Sequence, residues 1–162
     1  GKTPGEAWNK PGTAVAWRTG AGQIGYGDGD ETTVVSFGAA KTLKIPVVYL
    51  RHVFTVPAKA AARPFLIEAT IDDGAVIYVN GLEIGRINMK PGAVTPDTWA
   101  ATSVDQSVEA QVYGPAGLLK EGENLIAVSV HQSSGSSSDL SFDLRLGTRP
   151  SEADQALSSA VH

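Results

Sequence analysis

The stretch IDDGAVIYVNGLEIGR (71–86) decides how the rest of the chain is read. At its centre is Asn80-Gly81, a pair suited to a two-residue type I′ hairpin turn. Both central positions of that turn need positive φ, which Asn tolerates and Gly adopts freely. With the turn there, Val79 faces Leu82, Ile77 faces Ile84, and Tyr78 and Glu83 fall on the opposite side. One side of the hairpin is then apolar, as a half-buried sheet requires. The stretch opens on Asp72-Asp73-Gly74, which poses a choice between chemistry and scaffold. Adjacent strand residues point to opposite faces, and two carboxylates working across a glycosidic bond must stand about 5–9.5 Å apart. Asp-Gly also favours a tight turn. The reading adopted is a β-turn capped by the aspartates, with one Asp as a ligand as its alternative.

Period-2 alternation recurs along the chain, and helical periodicity is nearly absent. Strands are expected at 13–18, 33–37, 47–56, 65–71, 75–79, 82–87, 106–112, 124–132 and 140–146. In the last, Leu140, Phe142, Leu144 and Leu146 share one face, while Ser141, Asp143 and Arg145 share the other. About nine short strands separated by turns indicate an all-β sandwich or barrel.

Composition narrows the function classes. The chain has 162 residues, 42% hydrophobic and 19% charged, enough for one domain with a real core. A net charge of −4 without a Lys/Arg cluster argues against a nucleic-acid surface. No apolar run approaches the roughly 20 residues of a membrane helix. The absence of cysteine removes disulfides and thiolate metal sites. Residues 1–7 read as a linker remnant and 148–162 as a linker or short exposed helix. The opening GKTPGEAW suggests an excised module.

Four local patterns invite chemistry. GAGQIG (20–25) matches G-x-G-x-x-G, but a dinucleotide site needs a helix to start there. The following YGDGDETT does not start one, so the match is a decoy. GDGDET (27–32) brings together Asp28, Asp30 and Glu31, oxygen ligands of the kind Ca²⁺ takes. The set is incomplete, and a solvated acidic turn is its structural alternative. HQSSGSSSD (131–139) suggests a Ser-His-Asp hydrolase around His131 and Asp139. No nucleophile-elbow pattern accompanies it, and Gly/Ser-rich stretches usually form surface loops. Trp99, in the polar segment TPDTWAAT, is the best candidate for an exposed ring on which a sugar could stack. Its alternative is a plug in one end of the sandwich.

Three segments in order, VVYLRHVFTVP, IDDGAVIYVNGLEIGR and LLKEGENLIAVSVHQ, resemble the galactose-binding-like β-sandwich superfamily. They are similar to the non-catalytic sugar-binding domain of family 2 glycoside hydrolases. WRTGAGQIGYGDGDETT and HQSSGSSSDLSFDLRL look closer to jelly-roll modules appended to secreted bacterial hydrolases and metallophosphoesterases. The resemblance covers about residues 8–147 and implies a single jelly-roll domain, galactose-binding-domain-like. It further implies a non-catalytic carbohydrate-binding accessory module of a larger extracellular or periplasmic protein. Its partners would be a polysaccharide or glycan and the other domains of the parent chain, with neither nucleic acid nor membrane. Many such modules carry a structural Ca²⁺; carried over, Asp28, Asp30 and Glu31 are its early ligands and Asp139 its late one. Sugar contacts are expected from Trp99, Arg86, His131 and Asp73, chosen by residue type and expected exposure. The alternative function is a docking module that holds a neighbouring catalytic domain and binds no glycan.

Overall fold

The computed structural model describes residues 4, 5, 7–13 and 16–148. Among the described residues nine strands form two sheets. β1 (Ile24–Tyr26), β2 (Thr33–Val34), β4 (Phe65–Asp72), β7 (Val108–Gly114) and β9 (Leu140–Thr148) make a five-stranded sheet in the order β2-β1-β9-β4-β7. β3 (Val47–Val56), β5 (Gly74–Val79), β6 (Leu82–Ile87) and β8 (Gly122–His131) make a four-stranded sheet in the order β3-β8-β5-β6. Pairing is antiparallel except between β1 and β2. The one helix among the described residues, α1 (Ala58–Ala61), is a single turn after β3.

The core follows from the alternation. Phe65, Ile67, Ala69 and Ile71 of β4, with Leu140 and Phe142 of β9, face Ala75, Ile77 and Val79 of β5 and Ile126, Val128 and Val130 of β8. A fully buried side chain of this size contributes about 1.5–3 kcal/mol of transfer free energy, so these two inner faces dominate stability. Asp143 and Arg145 are exposed on the outer side of the five-stranded sheet, as the pattern predicted, whereas Ser141, expected beside them, is buried at 2% exposure.

β8 departs from simple alternation because both of its faces are buried. Its outer face carries Leu125, Ala127, Ser129 and His131. The N-terminal segment covers that side of the sheet: Trp8 packs edge-on against Tyr49 at 4.7 Å and Tyr78 at 5.6 Å. Arg51 Nη1 donates to the Thr13 carbonyl at 2.9 Å and ties the segment down.

The hairpin forms as the sequence indicates, with φ of 51° at Asn80 and 86° at Gly81. Its register differs beyond the first two pairs. A bulge between Ile77 and Tyr78 puts Ile77 opposite Gly85 instead of Ile84, and Leu82 is left 56% exposed. Asn80 does more than tolerate the turn. Its carboxamide accepts the Leu125 N–H at 3.0 Å and donates to Leu118 O and Asn124 Oδ1.

Two expected strands are reduced. The described part of 13–18 forms no strand, and residues 14 and 15 lie outside the described residues. Of 33–37 only Thr33–Val34 pairs. In exchange, β1 arises inside GAGQIG, and no helix starts there. The 148–162 tail, Thr148 apart, lies outside the described residues, as do most of residues 1–7.

Candidate functional site

The largest correction concerns Asp72-Asp73-Gly74. These residues do not turn a hairpin: Asp72 pairs with Ser141 in one sheet and Gly74 with His131 in the other. They form the crossing between sheets, and Asp72 and Asp73 are 3% and 0% exposed. A tight turn would leave both carboxylates in water; the crossing buries them.

Asp73 holds those loops together. One carboxylate oxygen accepts the Val104 N–H at 2.8 Å, and the other accepts the Ser133 N–H at 2.7 Å and faces Ser137 Oγ at 3.4 Å. The β6–β7 and β8–β9 connections are therefore anchored on one buried side chain. Asn88 adds a second tie, donating to the carbonyls of Asp73 and Thr102. Asp73 is thus fully engaged inside the protein and is not placed to meet a sugar.

His131 is likewise withdrawn. It is 0% exposed, with Nδ1 at 2.7 Å from the Thr98 carbonyl and Nε2 at 2.9 Å from Ser129 Oγ. A donor Nδ1–H and an acceptor Nε2 satisfy both contacts, the neutral ring that burial favours by pushing the pKa down. The Ser129–His131 contact looks like a nucleophile–base pair, but Ser129 is also buried and no carboxylate completes it. Arg86 braces its own loop. It meets Glu83 through Nε and Nη2 at 2.7 and 2.8 Å and donates through Nη1 to the Lys90 and Gly92 carbonyls. Of the four expected sugar contacts, Trp99 is the most exposed, at 36%, while Arg86 keeps 22% of its side-chain surface with its guanidinium already engaged.

Beside these anchors a cleft of about 610 Å³ opens between 101–105 and 133–139. Hydroxyls of Thr102, Ser103, Ser134 and Ser136 and carboxylates of Asp105 and Asp139 line it. Trp99 lies two residues before Ala101, the first lining residue, with its ring against Gly135 of the opposite loop. The backbone fixes this arrangement: Ala100 N–H donates to Gln132 O and Ala101 N–H to Asn88 O, both at 2.8 Å.

The acidic residues gather at the same end. Ligand atoms of Asp28, Asp30 and Glu31 lie within 4.8 Å of one another. Glu31 serves the turn itself, accepting the N–H groups of Asp28 and Gly29; the bond from its own backbone N–H, and then these two, hold its pKa down. Asp28 stands against Asp139, and its pKa is raised by partial burial and by the neighbouring acids. Asp139 is therefore beside the early loop.

Two buried side chains, Lys44 and Gln132, escaped that reading, and a third, Asp72, was read as part of a turn. Lys44, 8% exposed, donates through Nζ to the Ser137 and Ser138 carbonyls and lies 4.7 Å from the Tyr26 ring centre. Gln132 donates to Tyr26 Oη and to the Asp139 carbonyl. Asp72 has its pKa pushed up to about 8, chiefly by burial and then by Asp73, Asp139 and Asp28. No sequence signal marks Lys44. For Asp72 and Gln132 the available signal was a polar residue at the end of a strong apolar strand.

No family model matches the chain, and no curated protein matches it. Among solved structures it is similar to a β-glucuronidase from glycoside hydrolase family 2. That match has 20% identity and a TM-score of 0.51, covering 80% of this chain. It is also similar to a β-glucosidase from Kluyveromyces marxianus in complex with glucose, at 12% identity and a TM-score of 0.46 over 71% of this chain. The chain spans 12% of the length of each. The architecture is an all-β sandwich module. Its fold is similar to a domain-sized part of that family 2 glycoside hydrolase.

Proposed function

We propose that this chain is a non-catalytic accessory module of a larger secreted protein, and that it binds carbohydrate in the cleft between 101–105 and 133–139. The observation that carries the reading is the composition of that cleft beside Trp99. Hydroxyl and carboxylate groups line it, its two walls are pinned to buried Asp73, and a partly exposed indole flanks it. Fixed polar groups next to an aromatic surface suit a sugar ring, which offers hydroxyls at its edge and C–H groups on its faces. The fold shared with part of a family 2 glycoside hydrolase supports a sugar-related role. Calcium belongs to the same reading, as a stabiliser of the acidic end around Asp28, Asp30, Glu31 and Asp139.

A thermal-shift series against soluble polysaccharides tests the carbohydrate part. A ligand that binds only the folded form raises the melting midpoint. A rise with one glycan class, abolished in Trp99→Ala, supports the cleft. A flat panel at millimolar glycan refutes it and leaves docking to a neighbouring domain as the better reading.

A further inference from the structure

We propose that the cleft between 101–105 and 133–139 selects glycans carrying free amino groups, such as a glucosamine polymer, and that the carboxylates of Asp105 and Asp139 hold the sugar ammonium. The proposal rests on the carbohydrate reading of this cleft and adds the chemical class of sugar it takes.

The lining sets the class. Its polar side chains are the hydroxyls of Thr102, Ser103 and the serines of 133–138, with one carboxylate on each wall. No lining residue carries a basic, imidazole or carboxamide side chain. Hydroxyls both donate and accept, so they match the hydroxyls of any sugar, whereas an ionised carboxylate only accepts. A sugar that satisfies Asp105 and Asp139 must therefore bring donors, and an ammonium brings three of them together with a charge. Bonds between ionised partners are roughly twice as strong as neutral ones. A uronic acid meets the opposite situation, because its carboxylate would enter an acidic cleft with no cation to receive it. Like charges set against each other in this way are how a site rejects the wrong ligand.

The surroundings keep the cleft negative. Asp28 stands against Asp139, and its carboxyl is pushed up by partial burial and then by Asp139, Asp30 and Glu31, as repelling carboxylates require. The nearby cations are engaged elsewhere. Lys44, 8% exposed, donates to the Ser137 and Ser138 carbonyls and stands over the rings of Tyr26 at 4.7 Å and Phe37 at 5.5 Å. Lys41, on the same loop, lines no part of the cleft. Arg86 is bound to Glu83 and to the Lys90 and Gly92 carbonyls.

The cleft is also built for a ring. Its 610 Å³ falls in the range of about 300–1,000 Å³ typical of small-molecule sites. Asp105 directly follows Val104, whose N–H is fixed on Asp73, and the Ser133 N–H fixes the start of the opposite wall on the same carboxylate. Trp99 supplies an apolar surface beside them. An amino sugar uses all three features, its hydroxyls on the serines, its ammonium on the carboxylates and its C–H face on the indole. A lysine side chain has no hydroxyl for the serines.

The test is calorimetric titration of chelator-treated protein at about pH 6, below the pKa of an α-amino group, so that sugar amines are charged. The ligands are a short glucosamine oligomer, its N-acetylated counterpart, a galacturonate oligomer and a short lysine peptide. The variants are Asp105→Asn, Asp139→Asn and Trp99→Ala, with melting curves to show that each is folded. The glucosamine oligomer should bind tightest and the galacturonate oligomer should not bind. Asp105→Asn and Asp139→Asn should each weaken the glucosamine oligomer about fivefold, the upper reach of an exposed charge pair, and leave the N-acetylated oligomer unchanged. Raising the salt should narrow the gap between these two ligands. If Asp139→Asn does not fold, Asp105→Asn carries the same prediction from an exposed position. An N-acetylated or galacturonate oligomer that binds as tightly as the glucosamine oligomer overturns the selection and leaves the carbohydrate cleft standing. A lysine peptide that matches the glucosamine oligomer, with Trp99→Ala affecting neither, overturns it in favour of a generic acidic surface. No binding of any sugar overturns both this proposal and the carbohydrate reading beneath it.

Discussion

Asp73→Ala is the substitution whose effect follows most directly from the geometry. The carboxylate is 0% exposed and accepts two backbone N–H groups, of Val104 and Ser133, on loops 31 and 60 residues away in sequence. Hydrogen bonds to a charged group contribute about 1.5–3 kcal/mol each, so removing both costs about 3–6 kcal/mol. For a domain of this length 1 kcal/mol moves the midpoint by about 2–4 °C. The expected fall is therefore about 6–24 °C, measured by circular dichroism or calorimetry with EDTA present. Asp73→Asn keeps the size and one acceptor oxygen but turns an NH₂ towards the other N–H, so it should fall between wild type and alanine. In Asp73→Ala the amides of 101–105 and 133–139 should also lose hydrogen-exchange protection before the strands do. A midpoint within about 2 °C of wild type would show that Asp73 is not the anchor of these loops, since that shift corresponds to 1 kcal/mol or less.

Three further outcomes are expected. In EDTA, the Asp72 carboxyl binds its proton more tightly folded, at about 8, than at its ordinary value of 3.8. The folded state then holds more protons between those values, so stability falls as pH rises from about 4 to 8; an Asp72→Asn profile from chemical denaturation should lack that decline. Gly114→Ala places a Cβ 1.9 Å from Cζ of Phe65, a ring with no exposed surface, and overpacking of this kind costs about 1–3 kcal/mol, readable as a lower urea midpoint. Asn80→Gly relieves the positive φ of 51° but loses the bonds to Leu118, Asn124 and Leu125. It should recover little of the stability lost in Asn80→Ala, as compared in the same urea titrations.

The strands that enclose the core were readable because their pattern reports burial on one face. β3 and β6 fall within the expected limits, and β9 carries its four apolar residues inward. Alternation fails where both faces are covered, as in β8, because the covering comes from Trp8 and the 95–100 segment, distant in sequence. For the same reason His131 and Asp73 read as exposed polar groups and proved to be buried ties. Asp-Asp-Gly has the composition of a turn whether it joins paired strands or crosses between sheets; only the partners, Ser141 on one side and His131 on the other, decide. Arg86 was chosen by charge, yet Glu83 three residues earlier and the nearby carbonyls occupy its guanidinium. Trp99 was legible because its neighbours are polar, and Asp139 entered through a family resemblance. The bulge at Ile77/Tyr78 has no local signature beyond Gly85, whose missing Cβ lets β6 approach Val112 of the other sheet.

The most direct test of carbohydrate recognition is a ¹H–¹⁵N correlation titration of the ¹⁵N-labelled domain with a glycan that raises its melting point. Saturable shifts should concentrate in the amides of 101–105 and 133–139 and in the Trp99 indole N–H, leaving the outer face of the five-stranded sheet unchanged. Shifts that map elsewhere on the domain, or a Trp99→Ala variant that binds as wild type does, would contradict the cleft as the binding site.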